Sequence, residues 1–179
     1  NPDKAQQMRA EGVEPLLWEN ADALPAALRS ATHVLASAGP DAQGDPVLRI
    51  FGEEIAKRAG QFKWVGYLST TGVYGDHQGQ WVDESTPLTP STKRGRARIA
   101  AEAQWQDIPD LGLHIFRLAG IYGPGRHLLI EKLKKGQAFE GNSARTLNLI
   151  HVEDAARAVL HCLDMAGRVD GGIYNVSDG

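Results

Sequence analysis

The chain has 179 residues, of which 42% are hydrophobic and 23% charged, enough for one domain with a sizeable core. A net charge of −3 gives no electrostatic reason to expect nucleic acid or an anionic membrane as a partner. The single cysteine, Cys162, excludes an internal disulfide and a cysteine-based metal cluster, so we predict no metal site. No apolar run reaches the length of a membrane span, and we expect a cytoplasmic protein.

Hydrophobic periodicity predicts helices and strands that alternate along the chain. We predict helices at Pro2–Glu11, Asp22–Ser30, Pro46–Arg58, Lys93–Gln106, Leu128–Lys135 and Val152–Met165. We predict strands at Glu14–Trp18, His33–Ala36 (buried), Lys63–Leu68, Leu113–Leu118, Leu147–Ile150 and Ile173–Val176. Short strands separated by helices of this length indicate a doubly wound parallel α/β sheet in one domain, residues 1–179.

The predicted strand ends share small and hydroxyl-bearing residues. In sheets of this type, ligands bind at the carboxyl ends of the strands. The four strand ends are Ala36–Gly39, Ser69–Gly72, Leu118–Ile121 and Ile150–His151. The candidate ligand-binding residues within them are Ala36, Ser37, Ala38, Ser69, Thr70, Leu118, Ala119 and Ile121. One such segment is explained by strand–helix packing alone, but four in succession favour a cleft that holds a flat nucleotide ring.

Four segments, in chain order, carry a resemblance to a known family. They are Thr32-His-Val-Leu-Ala-Ser-Ala38, Leu68-Ser-Thr-Thr-Gly-Val-Tyr-Gly75, Phe116-Arg-Leu-Ala-Gly-Ile-Tyr-Gly-Pro-Gly125 and Leu149-Ile-His-Val-Glu-Asp154. Together they resemble the extended short-chain dehydrogenase/reductase superfamily, the NAD-dependent epimerase/dehydratase family. The resemblance implies a Rossmann-like fold and NAD or NADP as cofactor, bound by the strand-end residues named above and by Arg98.

By this resemblance the sequence is a fragment whose sheet is incomplete at the N-terminus. The first strand of the family and its glycine-rich turn, which holds the pyrophosphate with backbone N–H groups, have no counterpart in these residues. Residues that distinguish NAD from NADP would also lie before Asn1. Both cofactors therefore stay open.

The catalytic positions depart from the family pattern. Family members use a strand Ser or Thr, and then Tyr-x-x-x-Lys on one helical face, where the tyrosine is the acid/base. Thr70 takes the strand position, whereas Arg94 and Arg98 stand at the tyrosine and lysine positions. A guanidinium cannot take a proton at neutral pH, but it can donate hydrogen bonds to a ribose or an anion. This pattern resembles the tyrosine-less members of the superfamily.

Other residues offer replacement chemistry. Tyr122 lies on the substrate side by the resemblance, and we include it with Thr70, Arg94 and Arg98 as a catalytic candidate. Thr71 and Gly72 stand where sugar-nucleotide dehydratases carry Asp and Glu, so ordinary dehydratase chemistry is not expected. His151 begins a predicted helix, where a capping role competes with a chemical one.

Two functions fit these observations. The first is an NAD(P)-binding epimerase/dehydratase-like protein, an oxidoreductase or epimerase that acts on a small polar, anionic or sugar-nucleotide-like substrate with a non-standard acid/base. The alternative is a catalytically inactive dinucleotide-binding sensor or scaffold. The resemblance also implies a homodimer, formed through the helices at Pro46–Arg58 and Lys93–Gln106.

Overall fold

The computed structural model describes residues 2–17, 23–126, 131, 134–136 and 146–178. The helices are α1 (Pro2–Ala10), α2 (Ala23–Ser30), α3 (Pro46–Lys57), α4 (Lys93–Gln106) and α5 (Val152–Asp164). The strands are β1 (His33–Ala36), β2 (Trp64–Thr70), β3 (Leu113–Leu118), β4 (Gly120–Tyr122), β5 (Leu149–His151) and β6 (Gly172–Val176). Within these ranges, no helix is long and apolar enough to cross a membrane.

The main sheet has four parallel strands in the order β1-β2-β3-β6. This confirms the predicted α/β fold with a parallel sheet. Strands β4 and β5 form a separate parallel pair, which the sequence analysis missed. Strand β4 begins one residue after β3 ends, and a break that short leaves no mark in the hydrophobic pattern.

Alternation along β2 divides the core between the two faces of the sheet. Val65 and Tyr67 point towards α3 and α4, where they pack in one cluster with Ile55, Ala101 and Trp105. The opposite face carries a second cluster, which the helix α5 covers. Its buried members are Trp64, Phe116, Leu118, Ala119, Ile150, Ala155 and Val159.

Two predicted strands need correction. Residues 14–17 of the predicted strand Glu14–Trp18 have no regular structure, and residues 14, 16 and 17 are exposed. Trp18 lies outside the described residues. The strand at His33–Ala36 exists, but it is not buried throughout, since Leu35 is 48% exposed. It is the outermost strand of the described sheet.

The other predicted elements are confirmed to within two or three residues, with one exception. The predicted helix Leu128–Lys135 lies largely outside the described residues. The helix α3 packs an apolar face against the sheet: Ile55 and the following Ala59 are buried, and Phe51 packs against the same cluster.

The loop that follows β2 closes on a glycine. Gly75 has φ of +83°, and a Cβ there would lie 2.0 Å from the backbone oxygen of Thr89. Thr89 in turn donates to the carbonyl of Tyr74, from its backbone N (3.3 Å) and its hydroxyl (2.7 Å). Because Gly75 and Thr89 lie so close together, the loop brings the chain from the end of β2 back to the start of α4.

We therefore expect Gly75→Ala to lower the free energy of unfolding by about 1–3 kcal/mol or more, from backbone strain combined with the clash. Gly60→Ala is the matched control, because no atom lies within 4 Å of its added Cβ and its φ is not left-handed. Urea unfolding of both variants measures the difference. Equal stabilities would contradict the role assigned to Gly75.

Candidate functional site

The parallel strands bring most predicted site residues to one edge of the sheet. Thr70 pairs with Leu118, and Leu118 pairs with Val176, so three strands end level with one another. The backbone N of Ala119 donates to the carbonyl of Val176 at 3.0 Å and continues this edge. The fourth strand, β1, ends at Ala36, which pairs with Tyr67, three residues before Thr70.

Thr70 occupies the end of β2 with its hydroxyl close to the open edge. The side chain is half-buried, and its oxygen accepts a hydrogen bond from the backbone N of Gly72 at 3.2 Å. This bond caps the short 3-10 turn at Thr71–Val73. The hydroxyl keeps its own proton available for a ligand oxygen.

Ser69, one residue earlier, points the other way. It is 6% exposed, and its hydroxyl donates to the Oε1 atom of Glu102 on α4. The alternation of β2 thus sends one hydroxyl to the edge and the other to the interior. The cofactor role predicted for Ser69 stays a prediction, and its hydroxyl is engaged inside the protein.

Arg94 and Arg98, although one turn apart on α4, have different surroundings. Arg94 is exposed in the first turn of the helix, and no hydrogen bond or ion pair of its side chain is found in the described part of the chain. Arg98 is 8% exposed. Its Nη1 donates to the Leu68 carbonyl (2.8 Å), the Tyr67 hydroxyl (2.9 Å) and the Ala38 carbonyl (3.5 Å).

The start of α4 lies unusually close to the end of β2. Thr92 caps the helix by accepting a hydrogen bond from the backbone N of Gly95 at 3.0 Å. A Cβ at Gly95 would lie 2.8 Å from the carbonyl oxygen of Gly72 and 2.8 Å from Cβ of Pro90. A glycine at this position therefore lets the helix approach the turn after the strand.

A buried ion pair lies behind the edge. Glu102 and Arg117 are 2% and 3% exposed, and the Nη2 atom of Arg117 lies 2.7 Å from Oε2 of Glu102. The sequence did not lead us to predict that Glu102 and Arg117 form an ion pair. A charged residue inside the apolar strand β3, and an acid on the inward face of α4 one turn after Arg98, were the available signals.

The ion pair continues into a chain of hydrogen bonds. Arg117 donates from Nη1 to the hydroxyl of Tyr74 at 2.8 Å, and Tyr74 donates to Oδ1 of Asn175 at 2.8 Å. The backbone N of Asn175 donates to the carboxylate of Glu84 at 2.6 Å. The network thus joins α4, β3, β6 and the loop after β2.

Tyr122, the fourth catalytic candidate, lies on β4 beside a second set of polar groups. It is 38% exposed, and its ring lies edge-on to the His151 ring with centroids 5.2 Å apart. A hydrogen bond from the Tyr122 hydroxyl to the Asp178 carboxylate raises the pKa of the phenol. The same carboxylate accepts from the backbone N of His151 at 3.3 Å.

His151 fulfils the capping alternative. Its Nδ1 accepts a hydrogen bond from the backbone N of Glu153 at 3.4 Å, at the start of α5. Among the described residues, no group of three or more His, Cys, Asp or Glu side chains could hold a metal ion. Cys162 packs at the margin of the second core cluster, and burial raises the pKa of its thiol.

The sequence of the chain shows which family it belongs to. The model of the NAD dependent epimerase/dehydratase family matches residues 53–177, well over half of the chain. The chain belongs to this family. A curated relative, Protein YeeZ of Escherichia coli strain K12, is 38% identical over 114 residues, which are 62% of this chain and 38% of that protein.

Solved structures of the epimerase/dehydratase family share the fold. A functionally unknown conserved protein from Silicibacter pomeroyi is 49% identical, with a TM-score of 0.86 over 99% of this chain and 61% of that one. The UDP-glucuronic acid 4-epimerase of Bacillus cereus, solved with NAD, is 18% identical, with a TM-score of 0.68 over 87% of this chain and 57% of that one. The dTDP-glucose 4,6-dehydratase of Bacillus anthracis, solved with NAD, is 17% identical, with a TM-score of 0.70 over 99% of this chain and 63% of that one.

The chain spans less than two thirds of the length of each of these four relatives. The family positions assigned to Thr70, Arg94 and Arg98 from the sequence stay predictions. In the structure, the Thr70 hydroxyl lies at the end of β2, Arg94 faces solvent and Arg98 is turned into the protein.

Removing the negative partner of the buried ion pair leaves an uncompensated charge. We expect Glu102→Gln to lower the free energy of unfolding by about 3–5 kcal/mol. Glu53→Gln is the control, because Glu53 pairs with Lys57 on the exposed surface of α3, where such a pair contributes only about 0.5 kcal/mol. Denaturant unfolding compares the two, and a similar small loss for both would refute the assignment.

The Tyr122–Asp178 contact predicts a titration behaviour. The phenol should ionise above the ordinary tyrosine value near 10, because the adjacent carboxylate disfavours a phenolate. Asp178→Asn should bring the pKa of Tyr122 down towards that value. Since the folded-state pKa is the higher one, the contact stabilises the fold below pH 10 and loses this effect as the phenol ionises. Carbon-13 NMR of the Tyr122 ring against pH measures the shift; an unchanged pKa would show that Asp178 is not its cause.

Proposed function

We propose that this chain is the dinucleotide-binding part of an NAD(P)-dependent oxidoreductase or epimerase with a substituted acid/base. The observation that carries the proposal is the common edge formed by Ala36, Thr70, Leu118 and Val176, at the carboxyl ends of parallel strands in a member of the NAD dependent epimerase/dehydratase family. Dinucleotides bind at this edge in doubly wound sheets. NAD and NADP both stay open.

The residues at this edge fit a dinucleotide. Ser37 and Gly39 are exposed after β1, and Ala36 and Ala38 leave room for a flat ring to approach the backbone. The Thr70 hydroxyl can donate to a ligand oxygen, and Arg98 places a positive charge beside Gly39. We assign the far side of the site to Leu118, Ala119 and Ile121, at the end of β3 and in β4. A bound nicotinamide would supply hydride acceptance and return.

The acid/base is the part of the mechanism that this chain must supply differently. A guanidinium does not serve as a general acid or base, so we assign Arg94 the role of attracting an anionic substrate group. The hydrogen bond that Tyr122 donates to Asp178 raises the pKa of the phenol, which makes it a weaker proton donor. We therefore assign Tyr122 a hydrogen-bonding role towards the substrate, through its oxygen, and Thr70 the role of orienting the substrate. The substrate is a small polar molecule, anionic or similar to a sugar nucleotide.

One observation favours a second function, a dinucleotide-binding sensor or scaffold without turnover. Arg98 uses Nη1 for three bonds inside the protein, and Arg94 replaces the usual proton donor. Such a protein would bind the dinucleotide and leave its redox state unchanged across a broad substrate panel. A single robust turnover would exclude it. A cytoplasmic homodimer remains the expected form of either.

Dinucleotide binding tests the common part of both functions. Adding millimolar NAD(H) or NADP(H) to the full-length protein should raise its melting temperature, because a ligand that binds only the native state stabilises it by mass action, about 2.7 kcal/mol at 100 times its dissociation constant. Adenosine monophosphate and nicotinamide mononucleotide, offered separately, are controls expected to give smaller shifts. No shift with any dinucleotide would contradict the proposal.

A further inference from the structure

Arg98 has an unusual environment for a cation at the edge of a ligand cleft. Its side chain is 8% exposed, and it makes no ion pair within the described residues. Burying a guanidinium is costly unless its N–H groups find acceptors. The neighbouring groups that offset this cost therefore decide where the guanidinium sits.

Tyr67 is the one side chain among the described acceptors of Arg98. Its ring is fully buried between the sheet and the helices α3 and α4, and its hydroxyl accepts from Nη1 at 2.9 Å. The guanidinium carbon lies 5.6 Å from the ring centroid, within range of a cation–π contact. Burial raises the pKa of this phenol, so the hydroxyl stays neutral and does not become a charged partner.

The two terminal nitrogens of Arg98 face different surroundings. Nη1 bonds Tyr67 and the carbonyls of Leu68 and Ala38, and so it bridges the ends of β1 and β2. Nη2 lies 3.8 Å from where a Cβ at Gly39 would be, and Gly39 is exposed. No hydrogen bond of Nη2 is found among the described residues, which leaves this nitrogen as a donor at the opening of the cleft.

We propose that Tyr67 is a positioning residue that holds Arg98 so that Nη1 braces the two strand ends and Nη2 presents a donor to an oxygen of the bound dinucleotide. The inference rests on the proposed dinucleotide function. A planar guanidinium can divide its donors in this way, whereas a lysine ammonium is a single point of charge. The Tyr67 hydroxyl is therefore needed as an acceptor for Arg98. A phenylalanine at position 67 would fill the same space but would leave Nη1 with one acceptor fewer.

A double-mutant cycle in the full-length protein tests this role. The variants are Tyr67→Phe, Arg98→Met and the double variant, measured for melting temperature without ligand and for NAD and NADP affinity by calorimetry. Tyr67→Phe should weaken the preferred dinucleotide about fivefold, the scale of one net hydrogen bond, and lower the melting temperature by about 3 °C. In the Arg98→Met background the same change should have almost no further effect on affinity.

Tyr174→Phe is the matched control. Its hydroxyl donates to the carbonyl of Asp170 at 3.4 Å on the opposite face of the sheet, so dinucleotide affinity should not change. Equal weakening by Tyr67→Phe in both backgrounds, or none in either, would overturn the positioning role. Absence of dinucleotide binding by the wild type would instead refute the proposed function and this role with it. The ligand-free cycle then still reports separately whether Tyr67 and Arg98 are energetically coupled.

Discussion

The buried pair of Glu102 and Arg117 constrains the structure around it. Two charges removed from water are tolerated only when their remaining donors and acceptors are also satisfied. Ser69 supplies a donor to Glu102, and Tyr74 supplies an acceptor to Arg117. Each partner belongs to a different segment, so the sheet, the helix α4 and the turn after β2 must come together in one arrangement. This arrangement also fixes the position of the strand ends that carry the candidate site residues.

Helix α4 carries three charged residues along one face, and they differ in how deeply their side chains are buried. Residues 94, 98 and 102 follow one another at one-turn intervals. Arg94 stands in solvent, Arg98 lies at the margin of the cleft, and Glu102 is deep in the core. The same helix therefore anchors the fold at one end and, in the proposed function, offers cations to a ligand at the other. Gly95, which admits the close approach to the Gly72 carbonyl, lets one helix serve both purposes.

The fold could be predicted from the sequence, whereas the arrangement of the candidate site could be predicted only in part. Periodicity depends on local spacing, so the helix Lys93–Gln106 and the strand Leu113–Leu118 were predicted with the observed bounds. The inward turn of Arg98 depends on Tyr67, which is 31 residues away and looks like any apolar strand residue. The exposure of Leu35 could not be predicted from the sequence either, because the burial of a strand depends on which elements cover it. Non-local partners of this kind leave no periodic signal.

Glu84 bears on how the protein avoids unwanted association. A strand at the margin of a sheet exposes N–H groups that can recruit a strand from another molecule. The carboxylate of Glu84 occupies one such group, the N–H of Asn175 in the marginal strand β6, and holds the loop after β2 across it. A foreign strand could add there only by displacing a charge-assisted hydrogen bond. Within the described sheet, this contact blocks one of the N–H groups through which a foreign strand would pair with β6.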